Sequence, residues 1–357
     1  MIPLQEKDKP ILCSLCIILF VIGLFYIYFK GPIRGDEREY AEMSYSLVED
    51  HDGDFWDLRN YFYPLLIVSV YFLGSVFIGS PTIDHFIVIA RLINIFFVIG
   101  STIIFYFIFE KKSGSGALLS AYIFSFNWLL IYWGFRSTTQ APSVFFLLFS
   151  IYLMQKSSLY SQLLCGISLG CSFACWYGVI IVVLPFIVVS KSYHRLLSRL
   201  FGFLFVGVIF VGLLDFWMYG SFLQSAKSFF TFNIVEGQSA AWDDIWGQKP
   251  WYFYFGLCIP LVLGPLSLFY FLSFKHLFKG DNLLDFSLLS SILFLIIFTL
   301  IQHKEYRFFL VFYPLFILSS VIELEKRNVH PKIVFFISAA YNAAVMGGIL
   351  LKGVVII

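Results

Sequence analysis

Residues 286–323 read FSLLSSILFLIIFTLIQHKEYRFFLVFYPLFILSSVIE, two apolar runs on either side of one short polar stretch. Each run comes close to the roughly 20 residues that a helix needs to cross the hydrocarbon core of a bilayer. Between the runs, residues 302–307 carry most of the ionisable groups of the segment. The pattern predicts two membrane helices joined by a polar turn at the membrane surface.

The same alternation of apolar runs and short polar segments extends along the whole chain. Of its 357 residues, 60% are hydrophobic and 13% are charged, about half the charged share of a soluble domain. The predicted spans are 11–29, 86–109, 115–133, 141–155, 161–175, 177–190, 200–217, 251–274, 286–301, 308–323 and 333–351. We interpret the first as a retained signal anchor. The sequence therefore predicts an all-α polytopic membrane protein of about eleven spans, with residues 1–357 as one membrane domain.

The stretch 64–79 decides which loops share a side of the membrane, because it is apolar but short and begins with Pro64. If it does not cross, five basic loops face the cytoplasm together, as the positive-inside trend requires. These loops carry Lys111 and Lys112, Lys156, Lys191 with Arg195 and Arg199, Lys275 with Lys279, and Lys326, Arg327 and Lys332. We therefore interpret 64–79 as a re-entrant or interfacial helix. Four segments then lie on the other face: 30–63, 134–140, 218–250 and 302–307.

Acidic residues accumulate in the first of these external segments, where nine Asp and Glu accompany four Lys and Arg. Asp36 and Glu37 directly follow the first span. Asp36 and Glu39 also fit a helix N-cap and the third position of that helix. Capping accounts for Asp36 but not for the accumulation of acidic residues in this segment. A partly desolvated carboxylate beside a second acid can have a raised pKa and act as a general base. Both interpretations of Asp36 stay open at this point.

The polar turn at 303–307 is cationic although it lies on the external side, against the trend of the other loops. A snorkelling turn is one explanation. The other is a bound phosphate, which Lys304 would meet as a point charge and Arg307 as a bidentate fork, with His303 as a further donor. Arg136, in segment 134–140, is a further candidate anion ligand, and an arginine that anchors the helix at the interface is equally consistent with its position.

Other classes of site find little support in the sequence. All six cysteines lie within apolar stretches, where a thiol acts as a small hydrophobe, so neither a disulfide framework nor a zinc site is indicated. The spacing of His51 and its acidic neighbours matches no metal-ligand pattern. A net charge of +2 gives no indication of nucleic-acid binding. We expect neither a metal nor a cofactor.

Taken together, the motifs resemble a family, the polytopic glycosyltransferases of the endoplasmic reticulum that use dolichyl-phosphate mannose, and within it the α-1,2/α-1,6-mannosyltransferase group. The matching motifs are Asp36-Glu37, Trp56-x-x-Arg59-x-Tyr61-x-Tyr63-Pro64 and His303-Lys304-Glu305-x-Arg307-Phe308 with Pro314 downstream. Three more are most similar to the branch that adds the third mannose of the glycosylphosphatidylinositol (GPI) precursor. They are Asp215-x-x-x-Tyr219-Gly220, Phe232-Asn233 and Gly247-x-x-Pro250-Trp251-Tyr252-x-Tyr254-Phe255.

This resemblance implies a GT-C fold in the endoplasmic reticulum membrane and a luminal active site without a metal. The implied donor is dolichyl-phosphate mannose, and the implied acceptor is a GPI precursor or another lipid-linked glycan. Asp36 would be the general base of an inverting displacement and Glu37 would assist it. His303, Lys304, Arg307 and Arg136 would bind the donor phosphate. Further substrate contacts are expected from Trp56, Arg59, Tyr63, Glu305, Asn233 and Trp251.

Three alternatives remain beside this interpretation. A mannosyltransferase of the same group could act on the dolichol-linked oligosaccharide of N-glycosylation. A transporter would place ionisable residues near the bilayer midplane, where only Arg91 and Asp215 are exceptions to the apolar pattern. An inactive family member could serve as an assembly subunit, because Arg136 lacks the Asn and Glu that usually follow it and Cys175-Trp176-Tyr177 replaces an Arg-Pro-Thr-like sequence.

Overall fold

The computed structural model describes residues 8–28, 35–49, 55, 57–78, 80–113, 115–236, 249–301, 303–329 and 331–352. The regular structure of these residues is helical, as predicted. The first half of the chain forms α1 (Lys9–Tyr28), α2 (Asp36–Glu49), α3 (Phe62–Ile78), α4 (Ile83–Ser113), α5 (Ser115–Ser125), α6 (Trp128–Gly134), α7 (Gln140–Met154) and α8 (Leu159–Cys175). After a 3-10 turn at Tyr177–Val182, the second half forms α9 (Val183–Val188), α10 (Tyr193–Val206), α11 (Leu214–Tyr219), α12 (Gln224–Phe230), α13 (Ile259–Leu263), α14 (Leu266–Ser273), α15 (Asn282–Leu300), α16 (Tyr306–Lys326) and α17 (Pro331–Lys352).

Six of the described helical segments are long and apolar enough to cross a membrane, and the bent pair α5–α6 would be a seventh. The six are α1, α4, the continuous rod Tyr193–Tyr219, α15, α16 and α17. Several other predicted spans are shorter helices, including Gln140–Met154 and Leu159–Cys175. The polytopic class is confirmed. The count of about eleven spans and the placement of 64–79 stay predictions; residues 64–78 belong to the 17-residue helix α3.

Two stretches predicted as single spans, 115–133 and 251–274, are broken in the structure. α5 and α6 meet at an angle of 55°. Asn127 caps α6 by accepting a hydrogen bond from the Leu129 amide, and its own amide donates to the Val262 carbonyl at 2.7 Å. The Trp128 amide donates to Asn342 of α17 at 3.0 Å. Side chains thus satisfy the backbone groups that the break frees, which an apolar environment requires.

The second break separates α13 from α14 at Gly264, whose φ of +54° is rarely adopted by other residues. A side chain here would also collide with Tyr341 of α17, because an added Cβ would lie 2.6 Å from its ring. The Tyr341 hydroxyl donates to the Leu261 carbonyl at 2.9 Å. The same tyrosine therefore packs on the break and satisfies one of its carbonyl groups.

α8 and α10 pack with their backbones in close contact at Gly166 and Gly202. A Cβ added at Gly166 would lie 1.9 Å from the Arg199 carbonyl oxygen, and one added at Gly202 would lie 2.4 Å from that of Leu163. Small residues allow this approach between membrane helices, where packing replaces the hydrophobic driving force.

α16 is the central helix of the bundle, with every residue from Phe309 to Leu324 buried. Its beginning carries Arg307. Near its end, the fully buried Glu323 lies 2.6 Å from Arg327, 3.2 Å from His276 and 3.4 Å from Lys275. Arg307 and Glu323 are 16 residues apart, or about 24 Å along a helix, close to the thickness of a hydrocarbon core. The structure thus groups basic residues predicted to be cytoplasmic at the end of the bundle opposite Arg307.

Candidate active site

α2 begins at Asp36, which is the first helical residue and not the N-cap, so one of the two interpretations that the sequence leaves open for Asp36 is wrong. The Gly35 carbonyl accepts the Glu39 amide at 3.2 Å, so Gly35 occupies the cap position. Its φ of +55° explains why glycine serves there. The Asp36 carboxylate is therefore not engaged as a cap, and it projects towards two arginines that are distant in the sequence.

Asp36 lies between Arg59 and Arg307, each of which donates to a different carboxylate oxygen. Arg59 Nη2 lies 2.6 Å from Oδ1, and Arg307 Nη1 lies 2.5 Å from Oδ2. The three side chains are only 16–18% exposed. These are short charge-assisted hydrogen bonds. The structure thus brings together the two charged motifs predicted to form one site.

The two arginines change the acid–base character of Asp36. Burial by itself raises the pKa of its carboxyl group, but the charges of Arg307 and then Arg59 outweigh burial and hold the pKa below its ordinary value. The shift is opposite to the raised pKa that the sequence suggests for a carboxylate beside a second acid. In this state of the site Asp36 is ionised at neutral pH and is a weak base for as long as both arginines contact it.

Glu305 holds Arg307 from the side opposite Asp36. Arg307 Nη2 donates to Glu305 Oε1 at 2.6 Å, and Arg307 Nε forms a second close ion pair with Oε2. His303 Nε2 lies 2.7 Å from the same Oε1. Burial raises the pKa of Glu305, but the charge of Arg307 and the His303 hydrogen bond lower it below its ordinary value. Lys304, between His303 and Glu305 in the chain, is also buried.

Glu37 has its own cationic partners on the other side of α2. Arg91 Nη2 lies 3.1 Å from Oε2, Arg136 Nη1 lies 3.2 Å from Oε1, and the Ser137 hydroxyl donates to Oε2 at 3.0 Å. Glu37 is only 3% exposed. The Arg136 guanidinium also lies over the rings of Tyr132 and Trp133, 4.8 and 4.7 Å from their centroids. Arg136, a candidate phosphate ligand by sequence, is thus engaged by a carboxylate and two rings.

The remaining predicted residues lie around the site or beyond it. The Tyr63 hydroxyl donates to Asn94 Oδ1 at 3.0 Å, and its ring packs edge-on against Tyr40 at 5.5 Å. Asn233 donates to the Phe229 carbonyl one turn earlier at 2.8 Å. Trp251 is 70% exposed. Trp56 lies outside the described residues, as do residue 302 and residues 237–248 of the segment 218–250.

Sequence reasoning missed three members of this charge network: Glu39 as a partner of Arg59, and Arg91 and Ser137 as partners of Glu37. Glu39 accepts from Arg59 Nε at 3.1 Å, so Arg59 joins two acids of α2. The available signal was a lone arginine within the apolar stretch 86–109, since a charge in such a segment usually has a partner. Among the residues that the structure describes, no three His, Cys, Asp or Glu side chains are grouped so that they could hold a metal ion.

Residues 54–355 of the chain match the model of the Alg9-like mannosyltransferase family. The chain is 27% identical over 175 residues to alpha-1,2-mannosyltransferase alg9 of Schizosaccharomyces pombe, a match covering 45% of this chain and 30% of that protein. It is 25% identical over 211 residues to GPI mannosyltransferase 3 of Trypanosoma brucei brucei, covering 56% and 37%. The chain thus spans less than two-fifths of the length of each of these relatives.

Among solved structures, the chain is similar to ArnT from Cupriavidus metallidurans bound to undecaprenyl phosphate. The TM-score is 0.61 at 13% sequence identity, and the match covers 98% of this chain and 64% of that one. At this identity the likeness shows the fold alone. The predicted GT-C architecture of membrane glycosyltransferases is confirmed.

Proposed function

The chain belongs to the Alg9-like mannosyltransferase family, and from this premise we propose that it transfers mannose from dolichyl-phosphate mannose to a lipid-linked glycan. The reaction takes place at the luminal face of the endoplasmic reticulum membrane. The observation that carries the proposal is the position of Asp36, a carboxylate held between arginines of two separate segments at one end of the helix bundle. A base and a phosphate-binding cation are thereby adjacent.

In the proposed reaction, a hydroxyl oxygen of the acceptor attacks the anomeric carbon of the mannosyl group. The bond from that carbon to the phosphate oxygen breaks, and dolichyl phosphate leaves with the electron pair. Asp36 accepts the hydroxyl proton as the new glycosidic bond forms. Attack from the side opposite the leaving group inverts the anomeric configuration. His303, Lys304 and Arg307 stabilise the negative charge that develops on the departing phosphate.

Arg307 connects donor binding to the basicity of Asp36. In the structure its Nη1 contacts Asp36, while its Nε and Nη2 are held by Glu305. We place the donor phosphate so that it takes over the Nη1 contact while Glu305 keeps the rest of the guanidinium in place. Asp36 then loses its stronger cationic neighbour and its pKa rises. The base becomes active when the donor is bound.

Glu37 and Arg136 have roles in this proposal that differ from those predicted from the sequence. Glu37 is neutralised by Arg91 and Arg136, so it fixes the first turn of α2 and thereby orients Asp36. Arg136 reaches a phosphate only by leaving Glu37. The phosphate set that the geometry favours is therefore His303, Lys304 and Arg307.

The proposed acceptor is the GPI precursor, with the third mannose added in an α-1,2 linkage. The match to GPI mannosyltransferase 3 extends over 56% of the chain, and the sequence motifs around Asp215 and Asn233 point the same way. The dolichol-linked oligosaccharide of N-glycosylation is the second candidate, favoured by the similarity to alg9.

Mannosyl transfer by the purified protein tests the proposal. Synthetic dolichyl-phosphate mannose is supplied with either the dimannosyl GPI precursor or the dolichol-linked oligosaccharide, and products are identified by mass spectrometry. We expect transfer to the GPI precursor and a loss of at least about 100-fold in Asp36→Asn. The matched control is Glu42→Gln, on the same helix but in an exposed pair with Arg38. Transfer to the oligosaccharide alone contradicts the GPI precursor as the acceptor. Wild-type turnover in Asp36→Asn contradicts Asp36 as the general base.

A further inference from the structure

The backbone that carries Arg59 is held by a second segment, residues 215–228, which the proposed reaction does not use. The Tyr219 hydroxyl, at the end of α11, donates to the Arg59 carbonyl oxygen at 2.7 Å. On the next residue, Asn60 Nδ2 donates to Asp215 Oδ1 at 3.0 Å. These hydrogen bonds hold the backbone of Arg59 and the side chain of Asn60. Neither uses the Arg59 guanidinium, which contacts Asp36.

Asp215 links Asn60 to the start of α12. It is completely buried, and its second oxygen accepts from the Ser225 amide at 2.8 Å and from the Ser225 hydroxyl at 2.5 Å. Asn60 in turn accepts from the Phe62 amide at 2.7 Å, which caps α3. Three donors thus satisfy the buried carboxylate, and the position of Asn60 is defined by its bond to α11.

α12 also holds the chain on the other side of Arg59. Asp57 Oδ2 accepts from Gln224 Nε2 at 2.8 Å and from the Ser228 hydroxyl at 2.7 Å. Residues 57, 59 and 60 are thus each bonded to the segment 215–228. We call this set of hydrogen bonds the clasp.

We propose that Tyr219 and Asp215 are positioning residues that, through the clasp, set the guanidinium of Arg59 against Asp36. For its chemistry this inference rests on the proposed function. Its consequence is a division of roles between the two arginines. Arg59 is fixed by its own backbone and stays with Asp36, so the carboxylate remains oriented when Arg307 turns to the donor phosphate.

The kinetic test uses Tyr219→Phe, which removes the hydroxyl and keeps the ring that packs against Tyr61 at 5.6 Å. We expect kcat to fall about 10-fold, as for the loss of one orienting hydrogen bond, with the donor KM unchanged. The acid limb of the kcat profile moves to higher pH because Arg59 no longer stabilises ionised Asp36. In an Arg59→Gln background, Tyr219→Phe has little further effect, since both changes remove the same contact.

The matched control is Tyr313→Phe. Its hydroxyl likewise donates to a backbone carbonyl, that of Phe124, at 3.0 Å, but between other helices. This variant lowers stability without a pH shift. If Tyr219 has only a structural role, Tyr219→Phe lowers stability without a pH shift, as Tyr313→Phe does. Its effect on kcat then adds fully to that of Arg59→Gln. This outcome overturns the inference.

Hydrogen exchange of the full-length protein gives a readout that needs no activity. In Tyr219→Phe we expect peptides covering residues 57–61 to exchange about 10-fold faster, with α16 unchanged. If this occurs but the wild type transfers no mannose, the clasp stands and the proposed function fails. If the wild type transfers mannose while exchange and pH profile are both unaffected by Tyr219→Phe, the proposed function stands and the clasp fails.

Discussion

Arg307 and Asp36 are 271 residues apart in the sequence, and their side chains meet at 2.5 Å. The contact joins the first turn of α2 to the first turn of the central helix α16. Arg307 is also the residue that Glu305 holds by two of its nitrogens. Its planar fork therefore serves two carboxylates at once, a geometry that lysine does not reproduce.

Arg307→Lys tests that geometry. The lysine ammonium keeps the positive charge. It lacks the planar fork of donors with which Arg307 can contact Asp36, Glu305 and a phosphate at the same time. We expect the donor KM to rise about 10-fold or more, measured by steady-state kinetics with dolichyl-phosphate mannose. Arg38→Lys is the matched control, since Arg38 lies on α2 in an exposed pair with Glu42. An unchanged donor KM in Arg307→Lys would exclude Arg307 from the phosphate site.

Arg59→Gln is expected to shift the pH dependence of activity. Arg59 is one of the two charges that lower the pKa of Asp36, so removing it raises that pKa. The ionised base is then lost at a higher pH as the solution is acidified, and the acid limb of kcat/KM moves upward. Rate profiles of wild type, Arg59→Gln and Arg38→Gln, recorded together, measure the shift. An acid limb that stays in place or moves downward contradicts the assignment of Asp36 as the base.

Glu37→Gln is expected to destabilise the protein. The change leaves Arg91, whose side chain is 7% exposed, without its anionic partner. Removing one member of a buried pair costs about 3–5 kcal/mol, whereas breaking the exposed Arg38–Glu42 pair by Glu42→Gln has little effect on stability. Thermal unfolding in detergent compares the two variants. Equal Tm values for Glu37→Gln and the wild type would contradict a structural role for this ion pair.

Gly166→Ala tests the close packing of α8 on α10. The added methyl group would meet the Arg199 carbonyl at 1.9 Å, so the helices must separate, at a cost of about 1–3 kcal/mol. At Gly207, on the rod Tyr193–Tyr219 that also carries Arg199, an added Cβ meets nothing within 4 Å. Gly207→Ala is therefore expected to be neutral or slightly stabilising. Unfolding temperatures of the two variants should differ clearly, and identical values would show that the contact is not tight.

The meeting of the two charged motifs was predictable because charge pattern and span counting both placed them at one membrane face. The partners of Glu37 were not, since pairing Arg91 with a residue 54 positions earlier depends on how α2 and α4 pack. Hydropathy likewise does not reveal the breaks at Asn127 and Gly264. The residues of α17 that contact these breaks, Asn342 and Tyr341, lie more than 70 residues further along the chain.

Asp36 illustrates the limit within a single motif. Its spacing to Glu39 fits a capping box, but Gly35 takes the cap position by adopting a positive φ. The carboxylate is thereby available to Arg59 and Arg307. Sequence spacing predicted the start of the helix to within one residue but did not decide whether Asp36 caps it.

Four arginines from four separate parts of the chain converge on two neighbouring carboxylates, Arg59 and Arg307 on Asp36, and Arg91 and Arg136 on Glu37. A chain that threads one of these parts to the wrong side of the bilayer leaves an uncompensated charge in or beside the lipid, at a cost of several kcal/mol. Charge neutralisation at α2 therefore favours the correctly inserted topology over its alternatives. The ion pairs around Asp36 and Glu37 therefore form together only when the membrane helices are inserted in the right orientation.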